Sequence, residues 1–257
     1  MAMSKFLPNN ARTESKASLR KHLRKSLRNV RNSIPPEQRA YSALQISQQL
    51  NSLSCVTKAK SIAGYLVNDG ELDLSNFMQD AFTRSKDMRK EVTNGIDYSS
   101  TSTSATISAS TSASTSASAP KSALTPMPTT VSLPVLHPVC KGHLLFLEYG
   151  PHTTLVKNKY NIDEPELACP NVIPTSTIDV ILMPLVGFDS KGNRLGMGGG
   201  YYDRTLAFTQ FTQQKPILIG IAHDEQEVET LPFEPWDIPL DIIVTPKRIL
   251  TFSDIKP

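Results

Sequence analysis

Apolar positions near the start of the chain recur at helical intervals. Leu19, Leu23, Leu27 and Val30 follow one another at steps of four, four and three, which places them on one face of a helix over residues 14–31. Pro35-Pro36 interrupts the pattern, and a second helix is predicted from residue 37 to about residue 53. The period then changes. Residues 61–66 form a short apolar run that ends in the turn signal Asn68-Asp69-Gly70, and they read as a strand. Helical spacing returns over roughly 74–86. Beyond a long polar stretch, residues 131–136 and 143–147 read as two strands that pair with each other. Val180-Ile181-Leu182-Met183, bounded by Asp179 and Pro184, has the length and β-branched content of a strand buried on both faces. A helix is predicted from Tyr201, and residues 217–222 form the next apolar run. Helices alternating with apolar strands predict an α/β protein, a three-layer α/β/α sandwich around a mostly parallel sheet.

Composition narrows this picture. The chain has 257 residues, enough for one sizeable core with an appendage, and a net charge of +3. That charge is uneven: residues 1–40 hold ten Lys or Arg against only Glu14 and Glu37, and the remainder is slightly acidic. Cys55, Cys140 and Cys169 form no CxxC pair, which argues for a reducing compartment and against a zinc site. No apolar run approaches a membrane span, and the N-terminus lacks the apolar segment of a secretory signal. A cytoplasmic protein is expected; the Arg- and Ser-rich, acid-poor start also fits a mitochondrial transit peptide. Residues 99–118 hold ten serines, five threonines, four alanines and one isoleucine, too little apolar surface to offset ordering. The expected organisation is a disordered lead-in at 1–13 and a single domain over 14–257. A disordered Ser/Thr/Ala-rich insert interrupts that domain at about 91–130. An O-glycosylated stalk is the other reading of that composition.

The densest chemistry lies at 177–206. The run Gly196-Met197-Gly198-Gly199-Gly200 stands between a strand and a helix, where glycine lets the backbone turn several N–H groups toward one point. Such donors at a helix start suit an anion such as phosphate; a flexible loop is the plainer alternative. Arg194 before the glycines, and Asp203 and Arg204 after them, supply more charge than a hinge needs. The run is neither a Walker P-loop, since no Lys-Ser/Thr follows, nor a Rossmann fingerprint with its acidic partner. Lys16, Arg20 and Arg24 share a second face of the first helix. A solvated surface explains them, and a nucleic-acid footprint would need interleaved aromatic residues that this stretch lacks. Taken singly, Glu71 reads as a loop carboxylate, Asp237 as a helix cap or turn residue, and Asp241 as a strand start.

Pro184-Leu185-Val186-Gly187-Phe188-Asp189, followed by Gly192-Asn193-Arg194-Leu195-Gly196-Met197-Gly198-Gly199-Gly200-Tyr201-Tyr202-Asp203-Arg204, resembles the signature of the 5-formyltetrahydrofolate cyclo-ligase (5,10-methenyltetrahydrofolate synthetase) family. The resemblance covers about 14–90 and 131–250, and the insert departs from it. It implies a Rossmann-like architecture and an ATP-dependent closure of 5-formyltetrahydrofolate to 5,10-methenyltetrahydrofolate, with release of ADP and phosphate. Lys16-Ala17-Ser18-Leu19-Arg20 resembles the family's N-terminal motif, whose cations contact nucleotide phosphates. The implied ATP site joins Lys16 and Arg20 to Arg194, Leu195, Gly196, Met197, Gly198, Gly199, Gly200, Tyr201 and Tyr202. The implied folate site comprises Leu66, Glu71, Met197, Gly198, Gly199, Gly200 and Tyr201. Glu71 suits the adjacent N–H donors of a reduced pterin. Asp203 and Asp237 are implied ligands of one Mg²⁺, and Gln226 matches a retained glutamine. No residue is expected to act covalently.

Two positions differ from the family's usual residues: Asn161 stands where glycine is usual, in a segment read as a connecting loop without chemistry. Trp236 stands where histidine is common. The expected partners are 5-formyltetrahydrofolate and ATP, with no nucleic acid and no membrane, and a monomer is expected. Another Mg-ATP phosphoryl-transfer enzyme, or a catalytically idle folate-binding relative, are the alternatives.

Overall fold

The computed structural model describes residues 15–94 and 129–252. The lead-in at 1–13 and nearly all of the insert expected at 91–130 lie outside the described residues. The chain opens with α1 (Lys16–Asn32), whose N-cap Ser15 accepts a hydrogen bond from the Ser18 N–H at 3.2 Å. It is followed by α2 (Pro36–Ser52), with proline at the first helical position where no N–H is needed, and the short α3 (Ser54–Thr57). Then come β1 (Ser61–Ala63), α4 (Ser75–Asn94), β2 (Thr130–Leu136) and β3 (Leu144–Glu148). A hairpin of β4 (Leu155–Lys157) and β5 (Asp163–Pro165) precedes β6 (Val172–Ile173) and β7 (Val180–Pro184). A second small hairpin pairs β8 (Gly187–Phe188) with β9 (Arg194–Leu195). The chain ends in α5 (Tyr201–Thr205), β10 (Ile217–Ile221), β11 (Ile242–Val244) and β12 (Ile249–Thr251).

The main sheet has the order β12-β11-β10-β7-β1-β2-β3-β6. Its middle, β11 through β2, is parallel, and antiparallel strands close both sides. Alternation along β7 divides the core. Val180 and Leu182 join the cluster beneath α2 and α4, with Ile46, Leu50, Phe77 and Met78. Ile181 and Met183 point the other way, among Phe146, Phe188, Leu206 and Ile243. The result is a three-layer α/β sandwich, with long helices on one face. The other face carries α5, a 3-10 turn at Ala207–Gln210 and loops. Two aspartates fasten the N-terminal edge of the sheet. Asp179 accepts the N–H groups of Lys60 and Ser61, and Asp241 accepts that of Leu218 at 2.9 Å.

Several boundaries differ from the pattern in the sequence. The first strand stops at Ala63 rather than residue 66: the Gly64 N–H still donates to the Ser132 carbonyl at 2.9 Å, and beyond it Tyr65 and Leu66 turn to line the site. The helix predicted to end near residue 86 continues to Asn94. The helix predicted from Tyr201 is one turn long, since a 3-10 turn replaces it after Leu206.

Helix α1 belongs to neither face. It crosses the C-terminal ends of the parallel strands, against β8 and the turn at Asp224–Gln226. The described chain re-enters the sheet at Thr130, the first residue of β2, which pairs with Ser61, the first of β1, at the strand ends opposite α1. Deleting residues 97–125 is therefore expected to leave the thermal midpoint and any activity at the α1 edge nearly unchanged. Calorimetry and turnover of the shortened chain check this, and a chain that no longer folds would contradict it.

Candidate functional site

The site begins with the buried side chain of Arg31 near the end of α1. It has no solvent exposure. Its guanidinium donates to the Leu185 carbonyl at 3.2 Å and to Asp69 Oδ2 at 2.7 Å, and stands 3.7 Å from Glu71 Oε1. Asp69 also takes Arg28 Nε at 2.7 Å and Asn32 Nδ2 at 3.0 Å. Burial opposes ionisation of Asp69, but the bonds from Arg28 and Asn32 and the nearby guanidinium charges hold its carboxyl down to about 2. The loop after β1 and the loop after β7 are thereby tied to one helix, as is usual for sites at the carboxyl ends of α/β strands.

Along that helix, Arg20 and Arg24 reach a cavity of about 990 Å³. Arg20 holds Asp237 through both terminal guanidinium nitrogens, at 2.5 and 3.1 Å, and donates to the Pro232 carbonyl at 2.8 Å. Lys16 donates to the Phe233 carbonyl at 3.1 Å and to Glu234 at 3.3 Å, at the outer edge of the same segment. Arg24 Nε donates to the Gly196 carbonyl at 2.8 Å. The glycine loop is shaped by these contacts. Gly198 and Gly200 have φ of 97° and 63°, which side chains with a Cβ rarely adopt. A Cβ on Gly198 would fall 3.2 Å from the Arg24 guanidinium carbon. Arg204 donates to the Gly199 carbonyl and, at 2.9 Å, to the Gly142 carbonyl. With carbonyls engaged by arginines, the N–H groups of Met197, Gly198, Gly199 and Gly200 donate to no acceptor among the described residues. These are unpaired donors in a loop that lines the cavity, an arrangement able to accept an anion. The one-turn α5 adds little dipole, so the loop backbone and the guanidinium groups carry that role.

The far part of the cavity is lined by Tyr65, Leu66 and Glu71. Burial pushes the Glu71 carboxyl up to about 7; the Arg31 charge and the Asn68 N–H work the other way. Arg31 lies beyond hydrogen-bonding reach, so it offsets burial only in part. Arg194 is buried and holds Asp203 Oδ1 at 2.5 Å, an oxygen that also accepts the Ile238 N–H at 3.2 Å. Asp203 and Asp237 both face the cavity, and Asp203 Oδ2 has no hydrogen-bond partner among the described residues. Among the described residues no cluster of three or more His, Cys, Asp or Glu could hold a metal alone. Two carboxylates on a cavity wall fit an ion that takes its other ligands from polyphosphate and water, as Mg²⁺ does.

The structure thus gathers Arg20, Arg194, the segment 196–202, Leu66, Glu71, Asp203 and Asp237 around one cavity. Lys16 stands outside its wall, bound to the 233–234 segment. Leu195 is buried and can offer a ligand only its backbone. Gln226 is buried and joins strand ends, donating to the Leu185 and Val186 carbonyls at 2.7 and 3.0 Å. Two contributors were given no role from the sequence. Arg24 lies one turn beyond Arg20 on the same helical face, which was a usable signal. The segment read as a connecting loop without chemistry is in fact β5 and its approach. Tyr160, Ile162, Asp163 and Glu164 line the cavity there. Tyr160 and Tyr201 share a hydroxyl–hydroxyl hydrogen bond of 2.7 Å that only the tertiary structure reveals. Asn161, with φ of 60°, occupies the left-handed region, which asparagine tolerates and which explains its exchange with glycine.

An α/β sheet that gathers a glycine loop, guanidinium groups and a buried carboxylate into one cavity at its strand ends has the form of an enzyme that binds a polar, charged ligand there. The chain belongs to the 5-formyltetrahydrofolate cyclo-ligase family, which residues 84–246 match. It is 36% identical over 223 residues to the 5-formyltetrahydrofolate cyclo-ligase of Escherichia coli (strain K12), covering 87% of this chain and 98% of that protein. The Haemophilus influenzae enzyme of the same name is 35% identical over 227 residues, 88% of this chain and 97% of its own. In three dimensions the chain is similar to the 5,10-methenyltetrahydrofolate synthetase of Aquifex aeolicus, with a TM-score of 0.65 at 24% identity, covering 93% and 95% of the two chains.

The raised Glu71 carboxyl has a consequence for stability. A folded value of about 7 exceeds the unfolded one, so the group's contribution is present below the unfolded pKa, about 4.3, and lost as pH rises through the folded value. The ligand-free protein should show a thermal midpoint that falls between about pH 5 and pH 8. Glu71→Gln should flatten that component; an unchanged slope would contradict it. Arg31→Met should cost about 3–5 kcal/mol in denaturant unfolding, because Asp69 and Glu71 lose a buried partner.

Proposed function

We propose that the protein catalyses the ATP-dependent cyclisation of 5-formyltetrahydrofolate to 5,10-methenyltetrahydrofolate, releasing ADP and phosphate. One observation carries this reading: a single cavity joins a cation-rich glycine loop to a buried carboxylate suited to adjacent ring N–H donors. The nucleotide phosphates lie against the N–H groups of residues 197–200, with Arg20, Arg24 and Arg194 supplying positive charge and Lys16 at the outer edge. Leu66 and Glu71 hold the folate, and Met197 and Tyr201 lie between the two ligands. Asp203 and Asp237 would hold the Mg²⁺ that travels with the nucleotide. When bound, that ion neutralises negative charge on the phosphates.

The formyl group of the substrate is an amide and a poor electrophile. Transfer of the γ-phosphoryl group to the formyl oxygen breaks the bond to ADP and leaves an iminium-like carbon bearing a good leaving group. The second folate nitrogen attacks that carbon and yields its proton to solvent. The carbon–oxygen bond then breaks, and phosphate departs with the electron pair. Positioning and charge neutralisation carry these steps, so no covalent protein intermediate is required. The cavity fits that need, since its chemistry-bearing groups are guanidinium groups, carboxylates and backbone donors. A monomer in the cytoplasm, with folate and nucleotide as its partners and neither nucleic acid nor membrane, completes the reading. Among the described residues no helix is long and apolar enough to cross a membrane.

The purified protein given 5-formyltetrahydrofolate, ATP and Mg²⁺ should form methenyltetrahydrofolate, followed by absorbance, and ADP in equal amounts. Asp203→Ala should abolish both. ADP without the folate product would point to another phosphoryl acceptor, and folate binding without either product to a binding protein. Glu71→Gln should raise KM for the folate by about tenfold or more, the scale of losing a charge-assisted hydrogen bond, while ATP binding stays nearly constant.

A further inference from the structure

Trp236 lies outside every role assigned so far. It is the chain's single tryptophan, it is 65% exposed, and it stands on the wall of the cavity. An aromatic side chain this large is seldom left in water without a use, since its burial is among the most favourable available. Its backbone, by contrast, is held firmly. Glu234 and Asp237 close a turn around it, with Asp237 N–H to the Glu234 carbonyl at 3.0 Å and Glu234 N–H to Asp237 Oδ2 at 2.8 Å. Arg20 ties both ends of that segment to α1 through Pro232 and Asp237. The indole is therefore presented on a hydrogen-bonded turn, and among the described residues no ring or cation stacks on its faces.

Its place along the cavity decides what it can meet. Ala17 and Arg20 of α1, with Glu234 and Asp237, line the same region as Trp236, whereas Leu66 and Glu71 belong to the loop after β1. We propose that Trp236 is the stacking platform for the base of the nucleotide. The inference rests on the reading of this cavity as a nucleotide and folate site. A base that leaves its phosphates near Arg20 and the glycine loop needs a flat apolar surface beside those cations. Phe233 is also exposed near Arg20, beside Pro232, but it is not on the cavity wall; Trp236 is on that wall, next to the Asp237 that Arg20 holds. Stacking on one aromatic face recognises a π-surface and not a hydrogen-bonding edge. Selection among bases at this position is therefore weak, and other purine triphosphates should be accepted.

Because no second tryptophan contributes, emission excited at the red edge reads Trp236 alone. In the full chain, Mg-ATP should quench that emission, and Mg-tripolyphosphate, which has no base, should not. Trp236→Ala should raise KM for ATP by at least about fivefold, the lower end of what a stacked base is worth. KM for the folate should stay unchanged, and Trp236→Phe should recover most of the loss. The exposed position makes the variants safe for folding, and circular dichroism verifies it. Quenching by 5-formyltetrahydrofolate but not by ATP would overturn the proposal and place the indole at the folate. Full turnover with emission indifferent to ATP would also overturn it and leave the assigned reaction standing. A protein without turnover, whose emission still responds to ATP and not to tripolyphosphate, would refute the reaction and uphold the stacking.

Discussion

A guanidinium group withdrawn from water sets the terms of this structure. Arg31 gives its hydrogen bonds to the Leu185 carbonyl and Asp69 and lies near Glu71, so one side chain joins α1 to the loops that follow β1 and β7. A buried charge of this kind adds little net stability, yet removing one partner leaves the others stranded. What it provides is placement. Lys16, Arg20 and Arg24 project from the same helix, toward its free end. Their distance from the glycine loop follows from where Arg31 is anchored. The Asp69 carboxylate, with φ of 48° at its own backbone, spends conformational strain on the same junction.

The elements legible in the sequence are those whose signal is local. β7 reads as a buried strand because its apolar run faces a core on both sides, and the structure divides Val180 and Leu182 from Ile181 and Met183 in that way. α1 reads as a helix because its apolar residues fall on one face, and its glycine-loop partner announces itself by composition. The hairpins β4–β5 and β8–β9 were not legible, since two or three residues per strand give no period to detect. The same limit hid Tyr160, whose link to Tyr201 spans 41 positions. Arg20 and Asp237 lie 217 positions apart, and nothing local in the sequence shows that they hold one another. Only the resemblance to a family brought such distant residues into one site before the fold was known.

Two of the arginines on the cavity wall are paired with carboxylates before any ligand arrives. Arg20 faces Asp237 and Arg194 faces Asp203, and in each pair both side chains are mostly withdrawn from solvent. Short charge-assisted bonds in such surroundings are stiff, and they keep the opposing walls of the cavity in register. Arg24, whose guanidinium is pushed below its usual range first by burial and then by neighbouring Arg20, is held against the Gly196 carbonyl. The glycine backbone, free to adopt many shapes, is thus confined by arginines from α1 and from α5.

The strand order also dictates when this architecture can come into being. β1 contributes only three residues to the sheet, and its neighbours are β2 on one side and β7 on the other. Arg31 must wait for an acceptor 154 positions further along the chain. A ribosome that has released the first half of the protein has therefore delivered helices without a sheet to cover and a cation without its carbonyl. Closing so long a loop grows costlier only logarithmically, about 0.6 kcal/mol for each doubling of its length. The chain can thus carry a long segment between α4 and β2 at small thermodynamic cost. The price is paid in time, because non-local pairings of this kind form slowly and leave apolar faces open until the late strands arrive.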